Sequence, residues 1–448
     1  MIISGAAVVT SLDPVHITRD DVHVKDGRIA AEGGGERHDC SGCLVVPGNV
    51  CAHTHLYSAL ARGMPYDLEP PEDFLQILQR VWWRLDRALD EDSVRASALV
   101  GGMEALLSGT TTLVDHHASP NAIDGSLDVI EEALSTLGVR SVLCYEASDR
   151  DGPERARAGV QENRRFLDRV RRERPPLARG LVGAHASFTL SDETLSSCAE
   201  AAREFEVGIH VHAAEDDADE RDAVALYGLR VADRLAQAGA LDERTILAHG
   251  VHLDREEIRL VRAANASVAH NGRSNMNNSV GRARVGSFGP RVVLGTDGIG
   301  SDMFEESRTA YFRLREDDRG IGPDWPLRRL AEGARFVGAA FGEQRLGKIE
   351  VGASADLVVL DYATPAPLHA SSFPGHWVFG LASRSVRDVM VAGEWVVLDR
   401  RLTRMDDQEL AANACVQADR LWKRLDDIGP HEFEPKGGRR WPSPLMIE

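Results

Sequence analysis

Cysteine is scarce and scattered in this chain. Six occur in 448 residues, at Cys40, Cys43, Cys51, Cys144, Cys198 and Cys415, too sparse for a disulfide framework. Cys40-x-x-Cys43 is half a zinc clip with no second cysteine pair to complete it. Basic charge is also short: 52 Lys and Arg against 70 Asp and Glu leave a formal net charge of −18. Such a surface repels phosphates, so no nucleic acid and no anionic membrane is expected as a partner. No apolar run reaches membrane-spanning length. The opening MIISGAAVVTSLDP has no basic leader before its apolar stretch, so it reads as a first strand, and a reducing cytoplasm is the expected location. The glycine-rich first turn of a dinucleotide-binding sheet is missing, and there is no internal repeat.

What is present falls into three parts. Residues 1–46 read as short, turn-punctuated strands, with Asp26-Gly27 as a hairpin signal. From Leu44 apolar strands alternate with amphipathic helices, the pattern of a parallel sheet. The strands are expected at Leu44–His55 (with a turn at Pro47-Gly48), Thr110–His117, Val139–Glu146, Arg179–Ala186, Val207–Glu215, Thr245–Leu253, Ala266–Asn271 and Val292–Asp297. Helices are expected at Asp92–Leu107, Leu127–Leu137, Pro153–Glu173, Asp192–Phe205, Ala223–Gln237 and Arg255–Ala263, with Ser191 as an N-cap. Eight such units predict an α/β fold, a (β/α)8 TIM-type barrel over residues 47–346. Beyond Arg335 the pattern returns to β, with strands over Gly347–Asp361 and Val386–Asp399. The simplest architecture joins residues 1–46 and 347–405 in one small β-sandwich built from both chain ends. Residues 406–448 then form a C-terminal helix, Asp406–Leu425, and a loosely held tail after Pro430. An insert, Pro70–Leu89, carries an apolar helical stripe (Phe74, Leu75, Leu78, Val81, Trp82, Leu85), read as a helix over the barrel mouth.

In such barrels reactive groups stand at the C-terminal ends of the strands. His53 and His55 end strand 1, His116 and His117 strand 2, His185 strand 4, His210 and His212 strand 5, His249 strand 6 and Asp297 strand 8. A lone His-x-His pair is weak evidence, since a chain with 16 His often holds one by chance; clustering at strand ends is not what scattered core histidines would show. Residues two apart share a face, so His53 and His55 aim at one point, and strands 1 and 8 become neighbours on closure, which brings in Asp297. His210 and His212 also share a face. Glu215, three residues past His212 and suited to proton transfer, favours His212 as the ligand and places His210 lower in the barrel. Three His and one Asp exceed the usual three-ligand catalytic zinc set by one.

The set HTH, HVHAAE, AHGVHL and GTDG, with the closing GKIEVGASADLVVLD strand, resembles the amidohydrolase superfamily, in its mononuclear-metal deaminase and chlorohydrolase branch. PGNVCAHTHLYSALARGMP, WWRLDRALD and VDHHASP are most similar to the SsnA-type aminohydrolases. The resemblance covers nearly the whole chain. It implies one divalent metal, Zn²⁺ or Fe²⁺, held by His53, His55, His212 and Asp297, with Glu215 shuttling protons and His249 orienting the attacking hydroxide or the adduct. It also implies substrate contact by His185, and a homodimer. No Lys occurs between residues 26 and 347, so no carboxylated lysine can bridge a second metal. The implied reaction is hydrolytic deamination of an amino-substituted N-heterocycle of purine, pterin, pyrimidine or triazine type. The alternatives are the same site expelling chloride or an alkylamine or opening a cyclic amide, and a non-catalytic scaffold, which would have lost ligand positions that are intact here.

Some positions stay open on sequence. His249 is preferred over His252 for the inward place. His117 is a candidate substrate contact, though a histidine there serves as often as a structural hydrogen-bonding group. His116 and His270 have no assigned role. Glu146 and Arg150 could bind a polar ring or form a buried ion pair, and Asp302 reads as a loop-capping carboxylate.

Overall fold

The computed structural model describes residues 1–435. Its centre is a barrel of eight parallel strands: Asn49–Thr54, Thr110–His117, Arg140–Ala147, Val182–Ala186, Ile209–Ala213, Ile246–His249, Ser267–His270 and Val292–Leu294. The ends of the sheet meet where Thr54 bridges Asp297 in parallel and the Thr296 and Asp297 amides donate to the His53 carbonyl at 2.9 and 3.1 Å. Closure thus carries Asp297 to the two histidines of the first strand. The helices form an outer layer, among them Glu91–Leu107, Ser126–Leu137, Pro153–Glu173, Asp192–Phe205 and Arg255–Ala263. Ser191 caps its helix as expected, its hydroxyl accepting from the Thr194 amide at 3.2 Å.

Two smaller sheets accompany the barrel, one from the first 39 residues alone and one from both chain ends. A four-stranded sheet joins Ile2–Ser4, Val22–Lys25, Arg28–Ala30 and Arg37–Asp39. A seven-stranded sheet sets Leu44–Pro47 between Ala7–Leu12 and Leu357–Leu360, continuing through Val386–Val391 and Glu394–Leu398. Ile3, Val8, Val24, Val45, Leu357, Val359 and Met390 pack into one core cluster. No helix among the described residues is long and apolar enough to cross a membrane.

Several expectations are corrected. Leu44–His55 turns at Pro47-Gly48 as expected, but its two halves belong to different sheets, and Gly48 between them lies so close to Thr111 that a Cβ would sit 2.3 Å from its hydroxyl. The helix expected over Ala223–Gln237 is two, Asp217–Tyr227 and Val231–Gln237, parted where Gly228 takes φ +69°. The return to β comes later than Arg335, since Trp325–Phe341 is helical, and in the stretch 347–361 only Leu357–Leu360 is a strand. Met303–Arg315 and Gly272–Asn277 are helices that the periodicity did not reveal.

The insert is helical from Phe74 to Ala88, with a π-helical stretch at Leu78–Trp82, and it lies over the barrel mouth. The C-terminal helix Asp407–Leu425 packs on it. The chain after Pro430 is better held than expected as far as Pro435: Glu434 is buried and pairs with Arg87, and the Gln79 amide donates to the Pro435 carbonyl. The rest of the expected tail, 436–448, lies outside the described residues.

Candidate active site and metal centre

The period-2 geometry of the first strand delivers His53 and His55 side by side, their ring centroids 4.9 Å apart. His212, at the end of the fifth strand, faces His55 with the two Nε2 atoms 3.1 Å apart. Asp297 Oδ1 stands 3.0 Å from His55 Nε2 and 3.3 Å from His53 Nε2. The other carboxylate oxygen accepts from the Ser274 hydroxyl, which leaves Oδ1 free to face the histidines. His53, His55 and His212 are all buried.

Hydrogen bonds on the far side of two rings fix their tautomers. His55 Nδ1 faces the His116 carbonyl at 2.6 Å and His212 Nδ1 the His185 carbonyl at 2.9 Å. A carbonyl only accepts, so both Nδ1 atoms carry the proton and both Nε2 atoms are bare. Two bare nitrogens 3.1 Å apart, with a carboxylate oxygen beside them, repel unless a positive charge lies between. The protein's own groups call for that charge: burial pushes the His55 ring down, yet the Asp297 carboxylate overrides it and lifts the ring to about 9, so Nε2 holds a proton wherever no cation takes the proton's place. His53 Nδ1 is 2.8 Å from His210 Nε2, and His53 Nε2 is buried without a hydrogen-bond partner. This donor set fits a divalent cation. His116, unassigned on sequence, shares the cluster: its ligand-capable atom lies within 4.8 Å of those of His53, His55 and His212, and the same holds for His53, His212, His249 and Asp297 together.

His249 and Glu215 stand beside this cluster. His249 Nδ1 is bonded to Asn275 Oδ1 at 2.7 Å, and its buried Nε2, with no hydrogen-bond partner, lies 3.4 Å from Glu215 Oε2. Burial lowers the His249 ring, so it is held neutral. Burial first, and the Asp297 charge second, push the Glu215 carboxyl well above the usual carboxylate range. His249 and Asp297 both adopt positive φ, +73° and +55°, a strain that persists only where surrounding structure imposes it. His252 points elsewhere, to the Val280 carbonyl at 2.8 Å.

A cleft of about 660 Å³ opens over these groups. His55, His212, Glu215 and Asp297 line its inner end, His185 and Glu146 one flank, and Phe74, Leu78, Trp82, Trp83 and Phe188 its apolar wall. His117 is a correction: it is not on the cleft wall, and its Nε2 pairs with Ser119 Oγ at 2.9 Å, because the strand alternation that points His116 inward points His117 out. His270 is buried but off the cleft as well. Asp302 caps the helix Met303–Arg315, as its loop position suggested. Arg150 and Glu146 separate: Arg150 forms a buried ion pair with Asp86 behind Trp83, its guanidinium 5.3 Å from that ring, whereas Glu146 faces the cleft. Ser274, Asn275 and Asn278, which hold Asp297, His249 and Glu215, were not singled out on sequence. Their stretch, GRSNMN, lacks the apolar spacing that marks a helix.

The chain is similar to known proteins over most of its length. The chain is 31% identical over 386 residues to a 5'-deoxyadenosine deaminase of Methanopyrus kandleri, covering 84% of this chain and 86% of the relative. It is 33% identical over 408 residues to a 5-methylthioadenosine/S-adenosylhomocysteine deaminase of Haloarcula marismortui, covering 88% and 90%. Among solved structures, a zinc-bound adenosine deaminase from Xanthomonas campestris superposes with a TM-score of 0.83 at 26% identity, covering 94% of this chain and 98% of that one. The amidohydrolase family profile matches residues 44–396, and with that match the chain belongs to the amidohydrolase family.

Proposed function

We propose that this protein is a hydrolytic deaminase of amino-substituted N-heterocycles, working with one divalent metal held by His53, His55, His212 and Asp297. The observation that carries the reading is the pair of bare Nε2 atoms of His55 and His212, 3.1 Å apart beside Asp297 Oδ1, with Glu215 and His249 next to them. Relatives named as deaminases of adenosine derivatives support the reaction class. Zinc is the expected ion, with iron(II) the alternative; either would lower the pKa of water toward neutrality and polarise the carbon under attack.

The chain's own residues supply the rest. His249 presents a bare Nε2, its Nδ1–H being spent on Asn275, so Nε2 accepts a proton as water attacks. Glu215, buried and proton-bearing, donates to a ring nitrogen beside the amino-bearing carbon and makes that carbon electrophilic. Once the tetrahedral centre has formed, Glu215, now a carboxylate, takes the water proton from His249, whose Nε2 lies 3.4 Å away, and passes it to the amine. Ammonia leaves as the adduct's hydroxyl gives its proton to Glu215 and becomes the carbonyl. The aromatic wall of Trp82, Trp83 and Phe188 holds the flat ring and keeps bulk water out.

The test is ammonia release by the metal-loaded protein over amino-substituted purines, pterins, pyrimidines and triazines. The expected result is release from one class, abolished by chelation and strongly reduced by Glu215→Gln. No release from any class, with one metal bound per chain, would overturn deamination and leave chloride or alkylamine expulsion as the chemistry to assay.

A further inference from the structure

Five carboxylates line the cleft, and Glu146 is the one that neither the mechanism above nor a hydrogen bond claims: Asp219 accepts from the Phe188 and Ala214 amides and Asp216 from the Ala218 amide. It ends the third barrel strand, is 3% exposed, and makes no hydrogen bond; its Oε2 is buried without a partner. The nearest protein nitrogens do not satisfy it. His212 Nδ1, at 3.8 Å, already donates to the His185 carbonyl, and His116 Nδ1, at 3.4 Å, is itself without a hydrogen-bond partner. Burial pushes the Glu146 carboxyl up to about 8, so it takes a proton unless a ligand supplies donors that hold it as the carboxylate.

A second acceptor stands beside it. The Thr189 hydroxyl donates to the Ala186 carbonyl at 3.0 Å, so toward His185 Nδ1, 2.7 Å away, it can only accept. His185 therefore carries its proton on Nδ1 and leaves Nε2 bare. A carboxylate oxygen of Glu146 and a ring nitrogen of His185 lie within 4.8 Å of each other. Two acceptors that each take one N–H of a planar amino group, at about 2.9 Å and about 120° apart, are separated by about 5 Å. Both residues line the cleft, and a pair of acceptors no more than 4.8 Å apart is within reach of one primary amino group.

We propose that Glu146, together with His185, accepts the two N–H bonds of a second amino group on the substrate, so that the ring carries one amino group that leaves and another that is recognised. The inference rests on the deaminase reading and narrows its substrate class to diamino-heterocycles. Glu146 is a specificity-determining residue: it touches the substrate away from the reacting carbon. A ring without the second amino group leaves the carboxylate unpaired, and a ring with an oxo group there sets acceptor against acceptor, the kind of mismatch that discriminates far more strongly than a lost apolar contact.

The experiment uses metal-loaded protein and matched compounds that differ only at that substituent: 2,6-diaminopurine, 6-aminopurine and 2-oxo-6-aminopurine, and the corresponding pyrimidines and triazines. Ammonia release gives kcat/KM, and equilibrium binding is measured separately on metal-loaded Glu215→Gln, which does not depend on turnover. The expected result is a preference of at least tenfold for the diamino member in both readouts. Glu146→Gln should bring that ratio to within threefold and raise the relative standing of the oxo analogue, because one acceptor has become a donor. Equal handling of the matched members, binding of none of them, or a Glu146→Gln protein that keeps the wild-type ratio, overturns the inference. The two claims separate cleanly: a diamino preference in binding with no ammonia from any compound sinks the deaminase reading and leaves this recognition standing, whereas ammonia from all members alike does the reverse.

Discussion

His53 and His55 reach the cluster from a single strand, two residues apart, whereas Trp82 and Trp83 reach the same cleft from a helix that several other segments hold in place. The cluster needs little beyond the barrel itself: strand spacing sets the rings, barrel closure brings Asp297, and carbonyls at neighbouring strand ends fix two of the tautomers. The wall is assembled over long range. Arg150, from the loop after the third strand, pairs with Asp86 and sits behind the Trp83 ring. Arg87 joins Asp151 at 2.6 Å and Glu434 near the end of the described chain, and Arg84 donates to the carbonyls of Leu425 and Ile428. The difference teaches what each region depends on: the polar cluster on a rigid periodic frame, the aromatic wall on a helix whose position depends on buried charges elsewhere.

Substitutions in the two regions should therefore fail in different ways. The largest effect is expected from His53→Ala, which removes a proposed ligand: metal content measured on the purified protein should fall, and turnover should drop by about a thousandfold or more. Glu215→Gln should keep the metal while lowering kcat by about 10²–10⁴; retention of near-normal turnover would contradict the proton-transfer role. On the wall, Arg150→Met leaves Asp86 buried and unpaired, and about 3–5 kcal/mol of stability should be lost. Metal content should be unchanged there and KM should rise more than kcat falls, a split that steady-state kinetics and thermal unfolding read together. Glu434→Gln is the mildest, since Arg87 keeps Asp151. About 1 kcal/mol of stability and a small rise in KM are expected, and an effect on metal content would blur the distinction between the two regions.

The same contrast explains what could be read in the sequence. Strand ends, HTH and HVHAAE announce themselves because period 2 and a fixed barrel order turn position in the chain into position in space. Period 2 alone could not choose between His210 and His212, which share a face; Glu215 three residues on favoured His212, and His249 was preferred over His252 on position and motif. His212 and His249 lie within 4.8 Å of His53 and Asp297, whereas His252 turns to the Val280 carbonyl. His117 failed because alternation was not carried one residue further, which would have turned it away from His116. Glu146 and Arg150 could not be separated, since Asp86, the partner that claims Arg150, is 64 residues away. The helix Gly272–Asn277 was illegible for a related reason: its residues serve Asp297 and His249 rather than an apolar core, so no hydrophobic period marks it. Gly228 breaks a helix for a conformational reason that rests on one φ angle.

The most direct test of the account is an anomalous difference map from crystals of the metal-loaded protein. The expected result is one peak per chain, about 2.0–2.2 Å from the Nε2 atoms of His53, His55 and His212 and an Asp297 oxygen. A peak seated instead among Glu146, His185 and His212, or no peak after loading, would contradict it.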